Sequence, residues 1–247
     1  MIAQLDKMRF STYILFVVLT MFFSKLEAQS KLHFKNAEYS GETKGSKRHG
    51  YGVCEYRNGS KYEGEWNKGQ RHGKGTYYFQ NHDKYIGEYK NDLMHGHGIY
   101  MFRNGDRYEG EFINGKITGF GICYYSNGNS YEGEWKDGQK HGKGKLSYAN
   151  GNFYEGDWNY DSKHGEGTLT YANGMHYKGS FINNKKTGSG KFTWNDGTYY
   201  IGDFLNGKKH GKGKIYYNDG RIFEGFFIND QKNGEGKFLA ESNNSKK

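Results

Sequence analysis

YEGEWKDGQKHGKGKLSYANGNF, residues 131–153, decides the fold. In its first five residues Tyr131, Gly133 and Trp135 fall on one side of an extended chain and Glu132 and Glu134 on the other, the period of two of a β-strand. From His141 to Tyr148 the alternation resumes: Gly142, Gly144, Leu146 and Tyr148 share one face, while Lys143, Lys145 and Ser147 share the opposite one. Two such strands joined by a short loop make a hairpin.

The turn into the next unit follows from parity, because paired residues on adjacent antiparallel strands point to the same side. A two-residue loop, Asn150-Gly151, sets Leu146 opposite Glu155 and Gly144 opposite Asp157, so core positions face carboxylates. A three-residue loop, Ala149-Asn150-Gly151, with a left-handed glycine and a bulge, sets Leu146 opposite Tyr154 and Gly144 opposite Gly156. This second register is the expected one. It also sets Lys145 opposite Glu155, Lys143 opposite Asp157, Lys74 opposite Glu88 and Lys214 opposite Glu224 on the outer face. Each exposed pair of this kind contributes about 0.2–1 kcal/mol. On the inner face the glycines leave room for neighbouring rings to lie against the backbone.

The same pattern recurs without insertion. Three glycine columns, beginning at Gly41, Gly50 and Gly52, repeat every 23 residues through nine copies to Gly225, Gly234 and Gly236. A fixed period of this size means one supersecondary unit stacked along a line. All 39 glycines fall within the repeat, leaving none for a separate phosphate-binding loop. With no proline and 18% aromatic residues, the composition suits twisted strands and tight turns and disfavours helices.

The pattern Y-x-G-x-W/F, a loop, H-G-x-G, an aromatic, then N/D-G resembles the MORN (membrane occupation and recognition nexus) repeat, over residues 39 to about 240. The first copy departs from it with Thr43 in the aromatic position, and the last begins with Phe223 and stops short, as end copies of an open stack do. The expected fold is all-β: an elongated single-layer antiparallel sheet of stacked β-hairpins. The resemblance implies membrane-lipid or protein partners, and such repeats often dimerise.

The N-terminus is different in kind. Thr12 to Phe23 is an apolar run of 12 residues, preceded by Lys7 and Arg9 and followed by a short polar stretch through Ala28. It has the layout of a secretory signal and is shorter than the roughly 18 residues of a usual membrane span. The expectation is a signal peptide over residues 1–28 and an exported protein (periplasmic, secreted or cell-surface), with an uncleaved membrane anchor as the alternative. Leu26 sits where a small residue suits cleavage better, and Met8 offers another start. A short lead-in (29–38), the array (39–240) and a polar tail (241–247) complete the organisation. Cys54 and Cys123 occupy one repeat position three copies apart, roughly 29 Å at two strands per repeat, beyond disulfide reach. They read as small core residues.

Catalytic and metal readings fail on periodicity. His49, His72, His95, His141, His164 and His210 form a column shared with Thr118, Thr187 and Asn233. At about 10 Å between copies, no two imidazoles can share one ion. A side-chain hydrogen bond at a strand start fits this column better. The carboxylate pairs Glu63/Glu65, Glu109/Glu111 and Glu132/Glu134 recur in like environments, whereas a catalytic dyad needs unlike ones. The H-G-K-G runs have no following helix to hold a phosphate. No catalytic residue, metal site or cofactor is expected, and no specific nucleic-acid motif is present.

Two surfaces remain. The formal charge is +9, and about +8 without residues 1–28, a balance that favours anionic partners. Lys47, Arg48, Arg71, Lys116, Lys140, Lys163, Lys185, Lys186, Lys208, Lys209 and Lys232 all occupy the two positions before the histidine column, so stacking is expected to line them along one loop edge. That edge is a candidate site for anionic lipid headgroups or a polyanionic surface polymer. The second surface is the outer face, where Tyr78, Ile86, Tyr124, Ile201, Tyr216 and Phe226 interrupt the polar pattern and suggest a protein partner or homodimer contact.

Overall fold

The computed structural model describes residues 30–239. The apolar N-terminal segment and the polar C-terminal tail lie outside the described residues. Within them the chain forms nineteen strands and no helix, from Ser30–Phe34 to Gln231–Leu239. Each strand pairs antiparallel with its neighbours in sequence, giving one open sheet. The residues expected as a lead-in supply the first strand, in which Leu32 faces Tyr39.

The inter-repeat turn takes the three-residue form. Leu146 faces Tyr154, Gly144 faces Gly156, Lys145 faces Glu155 and Lys143 faces Asp157. Tyr148 N–H donates to the Asn152 carbonyl (2.9 Å), and Gly151 adopts φ +85°. The asparagine of the N/D-G pair has its own task, since Asn150 Oδ1 accepts the Asn152 N–H (3.1 Å). Successive turns are tied together as well: Ala149 N–H donates to Asn129 Oδ1 (3.0 Å) and Ala172 N–H to Asn152 Oδ1 (2.9 Å).

The turn inside each repeat is shorter. Lys136 faces Gln139 across Asp137-Gly138, both of which have positive φ, so the loop has only two residues. The two arms of this hairpin are unequal. Gly133 pairs with Gly144 and Trp135 with Lys140, so Glu134 alone spans three residues opposite. Gly142, at φ +58°, takes up the difference, which corrects the expectation that it continues the regular alternation with Gly144.

The bulge leaves polar groups to satisfy, and the repeat motif satisfies them. Glu134 Oε1 accepts the Lys143 N–H (3.0 Å), and the Tyr131 hydroxyl donates to the Glu134 carbonyl (3.0 Å). Tyr131 is fully buried although the sheet has a single layer. Its ring lies flat on Gly133 and Gly144, and Trp135 and Trp158 meet it edge-on at centroid distances of 5.0 and 5.3 Å. Trp158 Nε1 in turn donates to the Gly144 carbonyl (3.0 Å). The same tyrosine recurs at 39, 62, 85, 108, 154, 177 and 200, each at most 2% exposed. The core is therefore a ladder of edge-to-face rings, each pair adding about 0.5–1.5 kcal/mol beyond the burial of its area. Cys54 and Cys123 are buried free thiols within it, as their repeat position indicates.

Candidate functional site

The histidine column is structural in a way the sequence does not foretell. Nδ1 of His49, His72, His95, His141 and His164 is buried without a hydrogen-bond partner, so the expected side-chain bond does not form through that atom. The rings fill space instead; His141 packs on Tyr160 at 4.8 Å. Thr118, in the same column, does reach a carbonyl, that of Trp135 (3.5 Å). The carboxylate pairs divide their labour. Glu65 and Glu134 hold bulge N–H groups, whereas Glu63 and Glu109 pair with Lys61 (3.3 Å) and Arg107 (2.5 Å). On the outer face Lys143 pairs with Asp157, and Lys214 with Glu224 at 3.2 Å. Lys145 instead lies over the Phe153 ring at 4.6 Å. Among the described residues there is no cluster of three or more His, Cys, Asp or Glu able to hold a metal ion.

The eleven basic residues do not form one edge. A two-residue turn ends before the first of them, so the two positions are consecutive strand residues and point to opposite faces. Lys47, Lys116, Lys185 and Lys208 are exposed on the outer face, where Lys116 pairs with Asp137 (2.8 Å). Arg48, Arg71, Lys140, Lys163, Lys186 and Lys209 turn inward and are half-buried, and Lys232 continues their row at the exposed end of the sheet. This inner row lies against the aromatic core. Arg48 stands 4.1 Å from the Trp66 ring, Lys209 4.8 Å from Trp194, and Lys232 3.9 Å from Phe223. Arg71 and Lys140 also pair with Asp92 (3.2 Å) and Asp161 (2.8 Å) in the following repeat.

On the outer side of the turn the structure assembles something that sequence reasoning missed. Three outward lysines sit across the hairpin from an apolar residue, Ile113 facing Lys116, Ile182 facing Lys185 and Leu205 facing Lys208, while Lys47 faces Lys44 and, in the last repeat, Ile228 faces Gln231. These four apolar side chains are 52%, 53%, 48% and 45% exposed. The last three lie in consecutive repeats, about 10 Å apart at two strands per repeat. The signal was available in the column itself, which elsewhere holds Lys44, Asn67, Lys90, Lys136 and Asn159.

The outer-face candidates divide too. Ile201, Tyr216 and Phe226 converge around Gly202, Gly213 and Gly225 on one shallow depression of about 440 Å³. Tyr216 stacks on Tyr199 at 4.5 Å, while Ile201 and Phe226 are exposed. Phe226 stands where every other copy but one, Ser180, carries a carboxylate, so that repeat gives up a hydrogen-bond acceptor for an exposed ring. Ile86 lies apart, beside Tyr51 and Thr76. Tyr78 is flanked by Lys61 and Lys84, and Tyr124 by Arg107.

A stack of identical hairpins offering extended surfaces on two faces is a repeat-based binding or scaffold module. The MORN repeat matches nine consecutive segments, residues 39–61, 62–84, 85–107, 108–130, 131–153, 154–176, 177–199, 200–220 and 223–245, so the chain belongs to the MORN-repeat family. No curated protein matches it in sequence. Among solved structures it is similar to the TCP10 domain of Danio rerio CPAP in complex with a peptide of Danio rerio STIL, at 12% identity and TM-score 0.46, covering 81% of this chain and 84% of that one. The TCP domain of Drosophila melanogaster SAS-4 in complex with a proline-rich motif of Ana2 is similar at 15% identity and TM-score 0.38, over 59% of this chain and 85% of that one.

Proposed function

We propose that this chain is a non-enzymatic binding module that lies on an anionic membrane surface along the outer turn edge of its sheet. The observation that carries this reading is the pairing of exposed apolar and basic side chains at that edge: Ile182 with Lys185 and Leu205 with Lys208, continued by Ile228. Apolar side chains held beside lysines suit the boundary between acyl chains and anionic headgroups. Lys185 and Lys208 have no carboxylate within ion-pair distance among the described residues, so their charge is available to a partner. A lysine near an anionic surface contributes about 1 kcal/mol, and a half-exposed leucine or isoleucine contributes on the same order when it is buried. Together these support reversible docking. The apolar N-terminal segment, with the layout of an export signal or an anchor, supports a location outside the cytoplasm for the array.

Co-sedimentation with phosphatidylserine-containing vesicles tests the reading. Lys185→Glu with Lys208→Glu is expected to lower binding by about tenfold or more, and added salt to weaken the wild type. Ile182→Asn with Leu205→Asn should lower it comparably. Wild-type binding by both double variants would sink the proposal. Heparin binding that is lost in the charge variant and kept in the apolar one, without vesicle binding, would assign the edge to a polyanion instead.

A second reading rests on the convergence of Ile201, Tyr216 and Phe226 near the last strand. They would serve as a contact with a protein partner or a second copy of the chain. The expected mark is self-association insensitive to salt and abolished by Phe226→Glu, read by analytical ultracentrifugation. A monomer at all concentrations that captures no protein partner contradicts it.

A further inference from the structure

The inner row of cations changes character along the array. In its first half each charge has a partner or is replaced. Arg48 donates to the Gly69 carbonyl (3.0 Å), Arg71 and Lys140 pair with Asp92 and Asp161, and Met94 and Ile117 occupy the two intervening repeats. Beyond Lys140 the counter-charges stop. The turn position that supplies Asp92 and Asp161 holds Asn184 after Lys163 and Gly207 after Lys186. After Lys209 it holds Asp230, whose Oδ1 accepts the Lys209 backbone N–H (2.9 Å). Among the described residues, Lys163, Lys186, Lys209 and Lys232 have no carboxylate within ion-pair distance.

These lysines rest instead on rings. Lys163 lies 5.3 Å from the Tyr154 ring, Lys186 5.2 Å from Phe192, Lys209 4.8 Å from Trp194 and Lys232 3.9 Å from Phe223. Lys232 Nζ also donates to the Tyr217 hydroxyl (3.0 Å). Ring contacts are weaker than a charge-assisted hydrogen bond to a carboxylate and leave the ammonium's charge uncompensated. Burial lowers the Lys186 and Lys209 pKa and Asp230 offsets only part of this, so these charges stand on the inner face at a net penalty. An anion docking on this face relieves it.

The spacing says what kind of anion. One repeat advances two strands, about 10 Å, and so do the lysines. Three residues of polyproline-II-like chain advance about 9 Å and bring every third side chain to the same side. The lysines lie among the core rings instead of projecting past the turn edge, which suits a single chain better than a flat surface.

We propose that the inner row of lysines from Lys163 to Lys232, with the rings beneath it, receives an extended acidic segment of a partner protein, with carboxylates three residues apart, one for each lysine. Phe192, Trp194 and Tyr217 supply the apolar floor between the charges. This site shares no residue with the outer turn edge, so it stands or falls independently of membrane docking.

Fluorescence anisotropy with the full chain tests it, using a labelled 15-residue probe of five Glu-Ala-Gly units and a control of equal composition with its glutamates contiguous. The periodic probe is expected to bind at least about fivefold more tightly than the control, and Lys186→Met with Lys209→Met to lower its affinity by about tenfold or more. Methionine is compatible with the fold there, because Met94 already occupies that column; unchanged far-UV circular dichroism confirms it. Vesicle binding by this variant should stay at the wild-type level. Equal affinity for the two probes, no binding of the periodic probe, or full affinity in the double variant each overturns the proposal.

Discussion

Gly144→Val is expected to destabilise the array by about 3–5 kcal/mol, the scale of losing a buried aromatic side chain. A Cβ on Gly144 overlaps the Oη, Cζ and Cε2 atoms of Tyr131. That ring cannot step aside, because it is fully buried, its hydroxyl is bonded to the Glu134 carbonyl, and Trp135 and Trp158 flank it. Valine therefore displaces the tyrosine and removes a rung from the aromatic ladder. In a stack where each repeat touches only its neighbours, the damage should centre on the repeats beside residue 144. Hydrogen exchange should show lost protection there, and denaturant unfolding should give the magnitude. Two controls separate ring displacement from backbone strain. Gly174→Ala, in an open turn at φ +88°, should cost about 1 kcal/mol through backbone conformation alone. Gly225→Ala meets the Phe223 ring edge at 2.9 Å and the Gly236 Cα at 3.4 Å, in the terminal repeat, and should be milder than Gly144→Val. A Gly144→Val protein within about 1 kcal/mol of wild type would refute the packing argument.

Alkaline pH should unfold the protein cooperatively between about pH 10 and 12. Tyr39 and Tyr200 are pushed up to about 12, first by burial and then by the nearby carboxylates of Glu42 and Asp203. Tyr62, Tyr85, Tyr108, Tyr131, Tyr154 and Tyr177 are raised as well, again chiefly by burial. A folded-state pKa above the ordinary value of 10.0 means the folded protein holds these protons more tightly than the unfolded chain. The stability they contribute is fully present below pH 10 and is lost as the pH rises through the folded values. Ionisation removes the hydroxyl donor that each ring gives to a backbone carbonyl and places a charge in the core. Tyrosinate absorbance at 295 nm and far-UV circular dichroism should therefore change together. A smooth titration centred near pH 10 with unchanged circular dichroism would contradict the buried ladder.

Much of the fold is legible in the sequence. Parity alone placed Leu146 opposite Tyr154, because the alternative turn sets core residues against carboxylates, and a single-layer sheet allows only one register that avoids this. The bulge at Gly142 was harder to see, since alternation looks unbroken in sequence; its trace is the unequal length of the two arms between Gly133 and Gly144. The same short turn explains the misplaced cations. Treating Lys185 and Lys186 as loop residues puts them on one edge, whereas a two-residue turn makes them strand neighbours on opposite faces. Whether Lys140 meets Asp161 or a ring depends on how neighbouring repeats stack, which no single repeat encodes. Ile201, Tyr216 and Phe226 were recognisable one by one, but only the pairing of three strands brings them to one depression.

Membrane contact along the outer turn edge is tested most directly by depth. A bimane fluorophore on Leu205→Cys can be compared with one on Tyr124→Cys, on the outer face near the opposite ends of the strands. Cys54 and Cys123 are buried, and burial pushes the Cys123 thiol up to about 11, so labelling should fall on the introduced residue. With anionic vesicles containing brominated lipid, quenching is predicted at position 205 and not at position 124. Absence of quenching at 205, or equal quenching at both positions, would contradict docking through this edge.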